Sequence, residues 1–163
     1  MSLRAKKYEQ VILYFASKLG KEIRGKKKLA KLLYYVDFDF FEKYQRYFIG
    51  DKYKKLPMGP YPVSLEKITK KMATQKKLTI KFVDEWNGYN PTEVYKSLVE
   101  PDTSVFSKEE KQMLDRVIKK YGHLNGKELE NLTHAEAPYI GTEEKGEIPY
   151  ELAFYRGTDF AHD

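Results

Sequence analysis

The apolar positions of this chain form helical stripes at both ends, with a broken, alternating stretch between them. Tyr8, Val11, Ile12, Phe15 and Leu19 recur at steps of three and four, the spacing of one helix face, and Gly20 stands where such a helix would stop. This predicts a helix over 5–19. Leu29, Leu33, Val36, Phe40, Tyr44 and Tyr47 keep the same period, and Leu32, Tyr35, Phe38 and Phe41 widen the stripe round most of the circumference. The second helix is therefore expected over 26–47, in the centre of the molecule and packed on several sides.

Gly50, Pro57, Gly59, Pro60 and Pro62 interrupt any helix over 50–62, which reads as a short extended piece with tight turns. Leu65, Ile68 and Met72 mark a third helix, starting at 62 or 63 and ending at 74. Leu78, Ile80 and Phe82 alternate with Thr79 and Lys81, the period of a strand, and Asn87-Gly88 suits a type I′ hairpin turn with Pro91 limiting the second strand. Ser107 and Glu110 are spaced as a capping box before Met113, Leu114, Val117, Ile118 and Tyr121; Asn125 and Glu128 repeat the spacing before Leu129 and Leu132, and Pro138 ends that helix. Pro149 opens a last helical turn carrying Leu152 and Tyr155. The expected fold is α+β and predominantly helical, a compact single domain of five to six helices with a small antiparallel β-hairpin. It occupies residues 5–157, with 1–4 and 158–163 as flexible termini.

Composition narrows the class. A chain of 163 residues suits one domain, and 41% hydrophobic with 15% aromatic residues is too rich for a disordered tail. Without cysteine there are no disulfides, thiolate metal sites or thiol nucleophiles. No apolar run approaches the roughly 20 residues that span a bilayer, so a cytoplasmic protein without membrane contact is expected. The net charge of +6 conceals a split: residues 1–81 hold 21 Lys and Arg against 7 Asp and Glu, and residues 82–163 hold 9 against 17. Part of the excess is a basic patch, Lys26, Lys27, Lys28 and Lys31, at the N-terminal end of the second helix, where positive charge opposes the helix dipole. Phosphate contact by a helix-turn-helix would explain it. Yet that helix turns aromatic within two turns, and residues 26–41 contain no Arg, Asn or Gln to read base edges.

Catalytic constellations are scarce. There is no glycine-rich phosphate loop, and three histidines, His123, His134 and His162, leave few members for a triad or a metal site. Asp37 and Asp39 project about 200° around the helix apart in angle, so they cannot share one metal or one acid/base pair. No enzyme, metal or cofactor is expected. Asp37 sits among aromatic residues, where a buried carboxylate needs donors; it either anchors a neighbouring loop or helps to shape a pocket.

Four segments, in order, resemble the Panacea domain family of antitoxin SocA-like and phage-associated GepA-like proteins. Lys31-Leu32-Leu33-Tyr34 with Asp37 is similar to its KLLY-x-x-D helix, and Gly50-Asp51 with Tyr53, then Gly59-Pro60 with Pro62, to its GD-x-Y and GP-x-P turn. Phe106-Ser107 through Tyr121-Gly122 resembles its capped helix, and Leu132-Thr133-His134, Glu136 and Pro138 its LTH-x-E-x-P ending. The likeness extends over about 8–157. Phe38-Asp39-Phe40-Phe41 departs from the aliphatic residues expected after the aspartate. The resemblance implies the antitoxin half of a phage- or mobile-element toxin–antitoxin system, which binds a toxin protein without turnover or cofactor. A basic half would then recognise an acidic patch on that toxin; a nucleic-acid-binding regulator is the alternative. Asp37, Asp51, His134 and Glu136 are expected to meet around the turn, as a hydrogen-bonded brace or as a recognition pocket.

Overall fold

The computed structural model describes residues 4–83 and 91–162. Its axis is α2 (Lys26–Tyr44), in which Leu29, Leu32, Leu33, Tyr34, Tyr35, Val36 and Phe38 all have zero exposure. So complete a burial follows from the wide stripe: each direction around the helix presents an aromatic or aliphatic side chain, and each needs a cover. The expected end at 47 is corrected, because Gln45 adopts the left-handed conformation (φ 59°) and caps the helix through its N–H to the Phe41 carbonyl. The chain then doubles back, and Phe48 and Ile49 enter the core.

The covers come from the whole chain. They include α1 (Ala5–Lys18), α4 (Lys108–Tyr121), α5 (Gly126–His134), the single turn α6 (Ala137–Ile140) and a 3₁₀ segment, Tyr150–Tyr155. Tyr121 stacks on Tyr35 at 3.8 Å between ring centroids, and Tyr150 on Phe38 at 4.4 Å. Both capping boxes form as expected, Ser107 with Glu110 and Asn125 with Glu128. Glu9 and Gln10, outside the predicted stripe, are also buried: Glu9 pairs with Lys77 at 2.7 Å, and Gln10 accepts the Asp102 N–H.

Two antiparallel sheets complete the fold. In the first, β5 (Thr92–Ser97) lies between β1 (Glu22–Arg24) and β4 (Leu78–Val83), with Tyr95 opposite both Ile23 and Ile80. The 78–82 alternation indeed marks a strand; its Asn87-Gly88 turn lies outside the described residues, and β1 was not foreseen. The second sheet pairs β2 (Tyr53–Leu56) with β3 (Gly59–Pro62), a hairpin where only an extended piece with turns was expected. Pro60 and Pro62 are tolerated because β3 is an edge strand, and the other edge of β2 is bridged at Lys54 to Glu147. Since Pro62 belongs to β3, α3 begins later than predicted, at Leu65, and runs to Thr74. At the ends of the described chain, Arg4 donates to the Tyr47 carbonyl at 2.8 Å and the Thr158 N–H to Glu42 at 2.9 Å. No described helix is long and apolar enough to cross a membrane.

Removing the α4 cap with Ser107→Ala should cost about 1 kcal/mol. Urea denaturation checks this, and an unchanged midpoint would mean that tertiary packing alone sets that helix end.

Candidate functional site

A helix buried on all sides must also find partners for its polar side chains, and on α2 these are Lys31, Asp37 and Asp39. Lys31, Tyr34 and Asp37 are spaced by three, which places them along one slowly drifting stripe. Each meets a different segment of the chain, and the segments are those singled out by sequence.

At the first node, Lys31 lies beneath the hairpin, 2% exposed, and its Nζ donates to the Pro60 carbonyl at 3.2 Å. Gly59 has φ +114°, and a Cβ there would stand 2.4 Å from Lys31 Cε and 3.0 Å from Thr133 Oγ1. Both the backbone and the close approach therefore demand glycine. Thr133 completes the contact, its hydroxyl donating to the Glu130 carbonyl at 3.0 Å.

At the second node, the Tyr34 and Tyr35 hydroxyls donate to Glu136 at 2.7 and 2.9 Å. Arg156 binds Glu136 at 3.1 Å, Asp39 at 2.6 Å and Glu42 at 2.8 Å, while Arg116 holds the other Asp39 oxygen at 2.6 Å. Arg116 and Arg156 were not singled out by sequence, and no spacing ties either of them to Asp39. This network borders a polar cavity of about 400 Å³ lined by Lys120, Tyr121, Glu136, Tyr155 and Arg156. Pro138 is buried in the first turn of α6, close behind Glu136.

At the third node, Asp37 accepts the N–H groups of Ile49 at 2.7 Å and Gly50 at 3.1 Å, with the Tyr53 hydroxyl 2.7 Å away. Asp51 accepts from the Tyr8 hydroxyl and the Lys52 and Ser64 N–H groups at 2.9, 2.8 and 3.1 Å. These two carboxylates brace the loop from both sides. Burial pushes Asp37 up to about 6 against the pull of its three donors, and Asp51 is raised for the same first cause. The Tyr53 hydroxyl also lies 3.0 Å from the Leu33 carbonyl. It can donate to a charged Asp37, or accept from a protonated one while donating to Leu33.

The expected meeting of four polar residues is thus corrected. Asp37 and Asp51 share a loop, Glu136 belongs to the arginine network, and His134 stacks on Tyr139 at 4.4 Å with its Nε2 buried and without a partner among the described residues. Tyr139 in turn donates to the Leu56 carbonyl in β2. One helix reaches all three nodes, and each polar group is taken up by a different neighbour of that helix.

The basic patch is not a bare surface. Lys27 pairs with Glu130 at 2.6 Å, Lys28 donates to the Gly122 carbonyl at the C-terminal end of α4 at 2.6 Å, and Lys26 lies 4.0 Å from Glu66. These contacts offset the unfavourable helix-dipole position. A helix covered throughout from Leu29 to Phe41 cannot lie in a DNA groove, which removes the geometric basis of the helix-turn-helix reading.

Most of the segments that supply the three nodes fall within the reach of one family model. The antitoxin SocA-like Panacea domain model matches residues 29–139, more than half of the chain. The chain belongs to the Panacea domain family. No curated protein and no solved structure matches it. In this Panacea domain the matched region starts inside α2 and ends in α6, so it contains most of the spine and its three buried polar residues, with Tyr8 and Arg156 contributed from beyond it.

Two outcomes follow. A carboxyl near 6 in the folded state and about 3.9 unfolded takes up a proton on folding between pH 4 and 6, so its contribution is full below that window and is lost as pH rises through it. Asp37→Asn should gain on the wild type by about 2 to 3 kcal/mol from pH 4 to pH 7 in paired urea melts; a constant difference would show Asp37 ionised throughout. Arg156→Ala leaves Asp39 and Glu42 buried with lost partners and should cost about 3 to 5 kcal/mol, read from thermal or urea unfolding.

Proposed function

We propose that this Panacea domain is the antitoxin of a toxin–antitoxin pair and neutralises its toxin by binding it directly, without turnover. Membership of the antitoxin SocA-like family carries this reading. The geometry supports it in one respect: most of the polar residues in the segments that resemble the family are engaged in internal ties. Asp37, Asp51, Tyr34 and Glu136 hold loops and neighbouring helices, and no nucleophile is poised beside a base among them. In this reading the pair travels on a phage or other mobile element and acts in the cytoplasm, and the antitoxin needs no metal or cofactor.

The test is co-expression with the product of the adjacent gene. That product expressed alone should arrest growth, the pair should not, and the two chains should co-purify as a stable complex. A neighbour that is harmless alone, or toxicity relieved without complex formation, would remove direct neutralisation.

A further inference from the structure

Between the first turns of α2 and the β2–β3 turn lies a groove whose buried charge the fold leaves under-paired. Lys31 lines it, and among the described residues the Pro60 carbonyl is the one acceptor its ammonium has, although that group carries three donors. Glu130, the carboxylate that acts on it, is already bound by Lys27 at 2.6 Å and Lys127 at 3.3 Å. Burial first, and repulsion by Lys27 second, push the Lys31 amine down to about 8. An ion taken out of water with so little compensation has room for an anionic partner.

The rest of the groove is apolar. It measures about 340 Å³, with Ala30, Leu56, Pro57 and Tyr61 as walls and Met58 at the lip. Met58 is 60% exposed, an adaptable apolar side chain at the tip of a two-residue turn. Lys26 stands at the side, its Nζ 5.7 Å above the Tyr61 ring. Lys26 also borders a second depression of about 330 Å³ that includes Ile80, Tyr95 and Phe82, the last 67% exposed. Glu66 and Glu93 also line the second depression, so the carboxylate of a ligand belongs in the first, and two depressions joined at a lysine suit an extended polypeptide better than a small free acid.

Building on the antitoxin reading, we propose that this groove is the docking site of the toxin. It takes a toxin segment in which a carboxylate pairs with Lys31 while a neighbouring apolar side chain fills the slot beneath Met58. The complementarity is specific in sign: a basic segment would meet Lys26, Lys27 and Lys31 together.

The test uses the toxin that co-purifies with the wild-type chain, with affinity measured by titration calorimetry. Lys31→Met keeps an apolar stem of similar length and removes the charge; its thermal midpoint should be equal or higher, and its toxin affinity at least tenfold weaker. Met58→Asp, at an exposed turn, should weaken binding similarly, while Met58→Leu should leave it within twofold. Tyr155→Ser, on the separate polar cavity, should bind as the wild type does. Equal affinity of the wild type, Lys31→Met and Met58→Asp would overturn the docking site and leave the antitoxin reading standing. Loss confined to Tyr155→Ser would overturn it by placing the toxin on the other cavity. A wild-type chain that binds no toxin would instead defeat the antitoxin reading itself.

Discussion

The rest of the structure depends on one constraint: α2 is covered on every side from Leu29 to Phe41, so no polar group on that stretch can turn to water. Its side chains from Leu29 to Phe41 are all buried, and this set includes Lys31, Asp37 and Asp39. A buried polar group without a partner costs of order 1–3 kcal/mol, and more if charged. Each of these residues therefore recruits a partner from elsewhere, and the recruited segments become the fixed points of the fold. Lys31 recruits the hairpin, Asp37 the loop at Ile49 and Gly50, and Asp39 the two arginines.

This explains why the segments that resemble the family are a mixture of apolar, glycine, proline and charged positions spread over the chain. Gly59 is small because Lys31 passes under it, and Tyr34 and Glu136 form one hydrogen bond across a separation of 102 residues. A signature built from both halves of such contacts reports a folding pattern. That is compatible with a binding module whose recognition surface lies outside the signature, and equally with a surface that reuses an incompletely satisfied member of it. Lys31, a buried ammonium with one acceptor among the described residues, is such a member.

The charge split acquires a different meaning in three dimensions. Lys7 pairs with Glu110, Lys27 with Glu130, Arg46 with Glu109 and Lys55 with Glu144, each joining a cation of the first half to an anion of the second. The asymmetry along the chain thus becomes attraction between its halves. Exposed pairs such as Arg46 with Glu109 contribute little to stability, and their effect is to set an anion of the second half beside a cation of the first. One basic feature without a lining carboxylate is the groove beside Lys26, Lys27 and Lys31.

The sequence by itself determined the elements. Helical period, capping boxes and the Gly-Pro punctuation placed α1, α3, α4 and α5 to within a few residues, and the wide stripe identified α2 as central, because these signals are local. It also carried the family signature, and it showed that Asp37, among aromatic residues, would need donors. Only the tertiary structure decided which donors those were. The turn at Gln45, the strand β1, the hairpin through two prolines and the arginines around Asp39 all depend on groups remote in the chain. Spacing encodes which face of an element is apolar, whereas hydrogen bonds and ion pairs depend on what that face is packed against. For the same reason the expected cluster of Asp37, Asp51, His134 and Glu136 resolved into separate sites, and an ordinary-looking lysine proved to be buried with one acceptor.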